Sequence, residues 1–122
     1  MKTLVINRKR WGFGSEGGSL LNPKTHKMCC LGFACRQAGF SAKDISKLAM
    51  PSDLKANEIR PKALPLLSDF ISHRKERVST KVATRLAEVN DSKSQHFQDQ
   101  KEREKRIKDL FKTINTRVEF VN

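Results

Sequence analysis

Acidic residues are scarce in this chain of 122 residues, which has 13 Asp and Glu against 25 Lys and Arg and a formal net charge of +12. No stretch approaches the roughly 20 apolar residues of a membrane-spanning helix, and Met1–Trp11 lacks the apolar run of a signal peptide. Three Cys, two of them adjacent, cannot form the paired framework of a small secreted protein. We therefore expect a cytoplasmic protein without membrane contact, folded as a single domain over residues 1–122.

Positive charge is concentrated in the first third of the chain. Residues 1–40 contain seven Lys or Arg and one acid, a net charge of +6, whereas residues 91–122 contain eight and six, a net charge of +2. Uncompensated cations favour an acidic partner, and we expect nucleic acid ahead of an anionic membrane and DNA ahead of RNA. The nearly balanced C-terminal third is typical of a solvated helix.

Short apolar runs at both ends of the chain predict strands. Thr3–Asn7 is rich in β-branched residues, and residues 117–121 alternate polar with apolar side chains. A third strand at Ser19–Asn22 follows the glycine-rich segment Gly12–Gly18, which predicts a hairpin with a mobile tip. Because terminal strands must pair their backbone groups, we expect the first and last strands to be neighbours. The predicted fold is α+β: a small antiparallel sheet of these three strands packed against four or five helices.

Between the terminal strands, apolar residues recur at helical spacing. One helix begins near Met28 and ends at Gly39, and a second begins at the capping pattern Ser41–Asp44 and stops before Pro51. The region from Pro65 to Asn90 predicts either two helices or one bent helix. The last helix places acid before base on its predicted outer side, at Asp99/Arg103, Glu102/Arg106 and Glu104/Lys108.

Four motifs resemble a group of small proteins encoded by bacteriophages and prophages. They are Lys27–Phe33 (K-M-C-C-L-G-F), Leu86–Asp91 (L-A-E-V-N-D), the helix at Arg103–Phe111 and the closing Val118–Val121 (V-E-F-V). The resemblance covers most of the chain in order. It implies an accessory protein of host takeover or counter-defence in the cytoplasm of an infected bacterium, and it implies no catalytic residues.

Basic residues beside an aromatic side chain are the candidate binding site, because Lys and Arg neutralise phosphates and an exposed aromatic ring stacks on bases. In the N-terminal third these candidates are Arg8, Lys9, Arg10, Trp11, Lys24 and Lys27. A second basic track at helical spacing consists of Arg74, Arg77, Lys81 and Arg85. The alternative interpretation is a solvated strand end with Trp11 turned into the core.

Cysteine chemistry is the second hypothesis. Cys29 and Cys30 precede a predicted helix, whose N-terminus lowers a thiol pKa, so either residue could be a nucleophile. With His26, the three cysteines depart from the usual zinc-ligand spacings, and cysteines in an apolar helix are most often small buried side chains. We therefore predict no metal, no cofactor and no catalytic residue.

These observations rank three functions. The first is a non-enzymatic protein that binds nucleic acid through its basic N-terminal third. The alternative is an inhibitor that docks on an acidic surface of a host or defence protein. An enzyme that uses Cys29 or Cys30 ranks third.

Overall fold

The computed structural model describes residues 2–48, 77–92 and 100–122. Within these ranges it has two strands and four α-helices, so the chain is α+β as predicted. The elements are β1 Lys2–Asn7, α1 Cys30–Gln37, α2 Ala42–Ile45, α3 Arg77–Asp91, α4 Gln100–Lys112 and β2 Thr116–Val121. The predictions made for Pro51, Arg74, Asp99 and residues 65–76 of the Pro65–Asn90 region lie outside the described residues. The single domain stays a prediction for the same reason.

The direction of the sheet differs from the prediction. β1 and β2 are neighbours, as predicted for the first and last strands, but they run parallel, with Leu4 opposite Val118 and Ile6 opposite Phe120. The antiparallel arrangement is therefore wrong. The helices lie between the two strands along the chain, so the chain enters the sheet a second time in the same direction. A long connection allows this, whereas a tight hairpin would reverse the direction of the second strand.

The predicted hairpin partner at Ser19–Asn22 does not join this sheet. Leu20 and Leu21 are both buried, so the segment has core on two sides and does not alternate between core and solvent. Leu21 forms an isolated bridge with Ser46, and the Leu20 amide donates to the Leu48 carbonyl at 2.6 Å. The segment is thus anchored to the chain around α2.

Helix α1 lies at the centre of the core, because its residues from Cys30 to Cys35 are all buried. Gly32 packs against the Leu20 carbonyl, where an added Cβ would collide with the backbone. The helix ends before Gly39, as predicted, and Gly39 has a positive φ of 108°. This helix contacts both β1 and α3, so it joins the sheet to the helical part of the core.

Helix α2 is short, and its start confirms the predicted capping pattern. The Ser41 hydroxyl accepts the Asp44 amide at 3.1 Å, and the Asp44 carboxylate accepts the Ser41 amide at 2.9 Å. Its last residue, Ile45, is fully buried.

Helices α3 and α4 pack on each other, and α4 also packs on β2. Their predicted apolar stripes are buried, including Leu86 of α3 and Ile107 and Phe111 of α4. Arg103 and Glu104 correct the sequence prediction, because they lie on the buried side of α4 and not on its outer side. Across the described ranges, none of the helices is long and apolar enough to cross a membrane.

Candidate nucleic-acid interface

Arg8 begins a 3-10 turn directly after β1 and is tied into the fold. Its Nε and Nη2 donate to the two carboxylate oxygens of Glu104 at 2.9 and 2.8 Å. Its Nη1 donates to Asn122 Oδ1 at 3.1 Å. The hydrogen bonds from Arg8 hold the pKa of Glu104 below its ordinary value, and those to Glu104 raise the pKa of Arg8. Because its guanidinium already pairs at two points with Glu104, Arg8 does not offer that pairing to a phosphate.

Trp11 is also used inside the fold, with 1% of its surface exposed. Its indole Nε1 donates to Asn90 Oδ1 at 2.7 Å. Its ring lies 4.4 Å from that of Phe13 and 4.9 Å from that of Phe120, centroid to centroid. A buried indole cannot stack on a base, so this geometry matches the alternative interpretation of Trp11 as a core residue.

The other N-terminal candidates are closer to solvent. Lys9, Arg10 and Lys24 are exposed. Lys27 is half-buried, and its ammonium pairs with the Glu16 carboxylate at 2.8 Å. Three of the six N-terminal candidates therefore offer an exposed side chain to a polyanion.

The second predicted track is described in part. Arg77 and Lys81 lie in the first turns of α3, and Arg74 lies outside the described residues. Arg85 is exposed and borders a hollow of about 500 Å³ shared with Glu88 and Arg106. The acid in this hollow offsets part of its positive charge.

Sequence reasoning missed a basic surface on α4. Four lysines at positions i, i+4, i+7 and i+11 of the helix are all exposed: Lys101, Lys105, Lys108 and Lys112. At 100° per residue these positions fall within about 60° of one another, so we call them the lysine face. The spacing was visible in the sequence. The net charge of residues 91–122 conceals it, because that sum sets acids from other sides of the helix and from outside it against the lysines of one face.

The turn that carries Lys9 and Arg10 lies next to the lysine face. The pair between Arg8 and Glu104 joins the start of this turn to the second turn of α4. Lys108 lies one turn beyond Glu104 on α4, and Arg8 and Lys108 both approach the Phe120 ring, at 5.7 and 5.9 Å from its centroid. The structure thus places Arg8, the first residue of the turn that carries Lys9 and Arg10, beside Lys108 of the lysine face.

A polar cluster in the core holds the N-terminal segment against the helices. Asn90 is fully buried, and its Oδ1 accepts both the Trp11 indole and the Cys30 amide, the latter at 3.0 Å. Its Nδ2 donates to the Gly12 carbonyl at 2.9 Å. Arg103 adds a second link, because Nη1 donates to the Asn90 carbonyl at 2.6 Å and Nη2 to the Ser92 carbonyl at 2.8 Å.

The glycine-rich segment packs against this cluster and forms no hairpin tip. Gly14–Glu16 is a short 3-10 turn, and the Gly12 amide donates to the Met28 carbonyl at 2.8 Å. Gly17 lies so close to the Asp91 carboxylate that a Cβ would collide with it. Close packing is therefore the reason for glycine at position 17.

The three cysteines are free thiols with at most 4% exposure. Burial raises the pKa of Cys29 to about 12, although the Gly32 amide hydrogen bond acts in the opposite direction. Burial also raises the pKa values of Cys30 and Cys35. A thiolate is the reactive form, so these positions disfavour a cysteine nucleophile. In the described part of the chain, no group of three or more His, Cys, Asp or Glu is placed to hold a metal ion.

Comparisons of the chain with protein-family models, with curated proteins and with solved structures find no match. The assignment of function therefore depends on the chemistry of this surface.

Proposed function

We propose that the chain is a non-enzymatic protein that binds nucleic acid, with DNA favoured, through the lysine face and the neighbouring Lys9 and Arg10. The exposed lysine face is the observation that carries this proposal. With the bacteriophage resemblance, the proposal extends to an accessory role in host takeover or counter-defence in the cytoplasm of an infected bacterium. The basic N-terminal third contributes Lys9 and Arg10, while Arg8 and Trp11 support the surface from inside.

The length of the lysine face suits a phosphate backbone. Lys101 and Lys112 are eleven residues apart, which corresponds to about 16 Å along an α-helix. Phosphates on one strand of a duplex recur about every 3.4 Å of its axis, so the face spans roughly five nucleotides. Lysine suits this contact because its ammonium is a mobile point charge on a flexible stem and needs no fixed partner geometry.

The local charge balance on α4 also favours a polyanion. Its exposed residues include five cations and two acids, Glu102 and Asp109, because Arg103 and Glu104 are buried. Both acids lie to one side of the lysine face on the helical wheel. A polyanion that follows the lysines therefore meets mainly positive charge.

The test compares two double variants that each remove two positive charges. In Lys105→Ala/Lys112→Ala both changes lie on the lysine face, and in Lys43→Ala/Lys47→Ala both lie at exposed positions in and just after α2. Binding to a fluorescent DNA duplex is measured by anisotropy over a range of salt concentrations. We expect the face variant to bind roughly tenfold more weakly and to reduce the slope of log K against log salt by about 2, since each phosphate contact contributes about 0.9.

The control variant is expected to change affinity less than threefold. An equal loss in both variants would mean that binding reports net charge alone, and no binding to DNA or RNA at low salt would end the proposal. The alternative function, docking on an acidic host or defence protein, predicts a partner captured from a nuclease-treated lysate. It also predicts that the face variant loses this partner while DNA has no effect.

A further inference from the structure

The two outer edges of the sheet differ in the groups that contact them. At the β1 edge the side-chain amide of Gln37 takes the place of a neighbouring strand: its Nε2 donates to the Thr3 carbonyl at 2.6 Å, and its Oε1 accepts the Val5 amide at 3.3 Å. In the described residues, β2 has β1 as its sole strand neighbour. Every second residue of a strand turns its N–H and C=O away from a given neighbour, so the far edge of β2 presents backbone groups, of which the Phe120 carbonyl accepts Arg8 Nη1 at 3.4 Å.

A groove of about 730 Å³ lies between β2 and α4. It is lined by all six residues of β2 and by Lys108, Asp109 and Lys112 of α4. The outer face of the sheet beside it carries Val5 and Val121, which are 44% and 39% exposed. A two-stranded sheet is small, and further strands are the usual way to stabilise one.

The charges along β2 indicate what completes the sheet. Arg117 and Glu119 point outward on the same face of β2, 66% and 46% exposed, and form an ion pair within the chain at 3.3 Å, with Val118 between them on the buried face. We propose that a second copy of this chain pairs with β2 in antiparallel fashion, about a two-fold axis at Val118. This axis places Arg117 opposite Glu119 of the partner subunit and Glu119 opposite the partner's Arg117. Directly opposite residues in such a pair lie about 5 Å apart, within reach of an ion pair.

The alternation of charge favours a second copy over an acidic strand. A strand with charges of one sign would meet a like charge at one of the two edge positions, at Glu119 if acidic and at Arg117 if basic, whereas the antiparallel copy meets opposite charges at both. An axis perpendicular to the sheet keeps the buried faces of both β2 strands on the same side. The product is a four-stranded sheet in which both outer edges carry the Gln37 amide.

Net charge opposes this association, because each copy carries +12. At about 0.15 M salt the Debye length is roughly 8 Å, so this repulsion is screened over most of the molecule while contacts at about 5 Å persist. The inference concerns the protein alone and does not rest on the proposed binding of nucleic acid.

The experiment measures the mass of the full chain by sedimentation equilibrium over a range of concentrations in nucleic-acid-free protein. Wild type is expected to rise from 13.9 kDa toward twice that mass. Arg117→Glu and Glu119→Arg each place like charges opposite one another twice in the pair, so each is expected to weaken dimerisation at least about tenfold. An equimolar mixture of the two single variants places two acids opposite two cations across the axis, while each chain keeps its own like-charge pair, and is expected to return to within about threefold of wild type.

Two variants at exposed positions elsewhere match the charge changes: Lys24→Glu for Arg117→Glu and Glu88→Arg for Glu119→Arg. Both are expected to dimerise like wild type, and circular dichroism checks that every variant is folded. A wild-type chain that stays at 13.9 kDa throughout overturns the inference. So does a mixture of the two single variants that associates no better than either variant alone, because only pairing across the axis brings the two acids of one chain opposite the two cations of the other.

Discussion

Two parts of the chain are rich in cations: residues 8–27, which follow β1, and helix α4. The fold leaves a smaller share of the cations exposed in the first part than in the second. In the first segment, Arg8 pairs with a buried carboxylate and Lys27 pairs with Glu16. On α4, Arg103 turns inward to backbone carbonyls, and four lysines remain on the surface. The segment with the larger net charge therefore has the smaller share of exposed cations.

The difference follows from the two side chains. A guanidinium is planar and offers five donors in a fixed arrangement, so Arg8 and Arg103 can satisfy several acceptors while partly or fully removed from water. A lysine ammonium is strongly hydrated and is expensive to bury. A sum of charges over a segment therefore overestimates the number of cations available to a ligand where those cations are arginines near the core. It underestimates that number where lysines repeat on one face of a helix.

The largest expected loss of stability comes from removing the hydrogen bonds that hold the N-terminal segment to the core. Asn90→Ala removes the acceptor of the Trp11 indole and of the Cys30 amide, and the donor to the Gly12 carbonyl. Leaving these buried groups unpaired costs about 1–3 kcal/mol each before relaxation, so we expect the free energy of unfolding to fall by about 3 kcal/mol. Denaturant unfolding measures it. Glu88→Ala, at an exposed position of the same helix, is expected to change it by less than about 0.5 kcal/mol.

An Asn90→Ala protein that unfolds within about 1 kcal/mol of wild type would contradict this account. It would mean that Trp11 is held in the core by apolar packing alone. The hydrogen bonds of Asn90 would then contribute little to holding the N-terminal segment against the helices.

The next prediction removes the arginine that joins the two regions. Arg8→Ala leaves the Glu104 carboxylate, whose side chain is 10% exposed, with the Gln100 amide as its remaining side-chain donor in the described chain. We expect a loss of about 1–2 kcal/mol at pH 7, which is less than for a fully buried pair because Arg8 is 32% exposed. Arg10→Ala, an exposed arginine in the same turn, serves as the control.

The pH dependence of this loss follows from the pKa of Glu104. Because Arg8 lowers that pKa in the folded state, the pair stabilises the protein above the unfolded pKa of about 4.3 and ceases to do so as the pH falls through the folded value. The difference between wild type and Arg8→Ala is therefore expected to be largest at neutral pH and to shrink below pH of about 4. A difference that stays constant to low pH would assign the loss to packing of the Arg8 stem.

The helix ends and the buried helix face were predicted correctly because their signals are local, whereas the hairpin around Gly12–Gly18 was not, because its second strand is bonded instead to Ser46 and Leu48. The capping pattern at Ser41, the end of α1 at Gly39 and the buried stripe of α4 each depend on residues within a few positions of one another. The pairing of the terminal strands was also predictable, since both needed a partner. Their direction was not, because it depends on the path of the whole chain between them.

The candidate site was predicted less well for a related reason. Arg8 and Glu104 are separated by 96 residues, and Trp11 and Asn90 by 79, so nothing near Arg8 or Trp11 in the sequence shows that each is already engaged. The lysine face was a local signal that a sum over residues 91–122 concealed. A search for like charges at helical spacing, after removal of those that pair inside the fold, would have found it.

The smallest expected effect on stability comes from removing two lysines of the lysine face. Lys105→Ala/Lys112→Ala removes two exposed ammonium groups from a chain of net charge +12, so it deprives the fold of no buried contact and relieves some repulsion. The free energy of unfolding is expected to stay within about 0.5 kcal/mol of wild type, measured by denaturant unfolding beside Arg8→Ala. If the lysine variant lost as much stability as Arg8→Ala, the lysines would be structural like Arg8, and weaker DNA binding by this variant would reflect a damaged fold. If its stability is unchanged, weaker binding can be assigned to the surface itself, because the cations that hold the fold together and the cations that meet a ligand are then different residues.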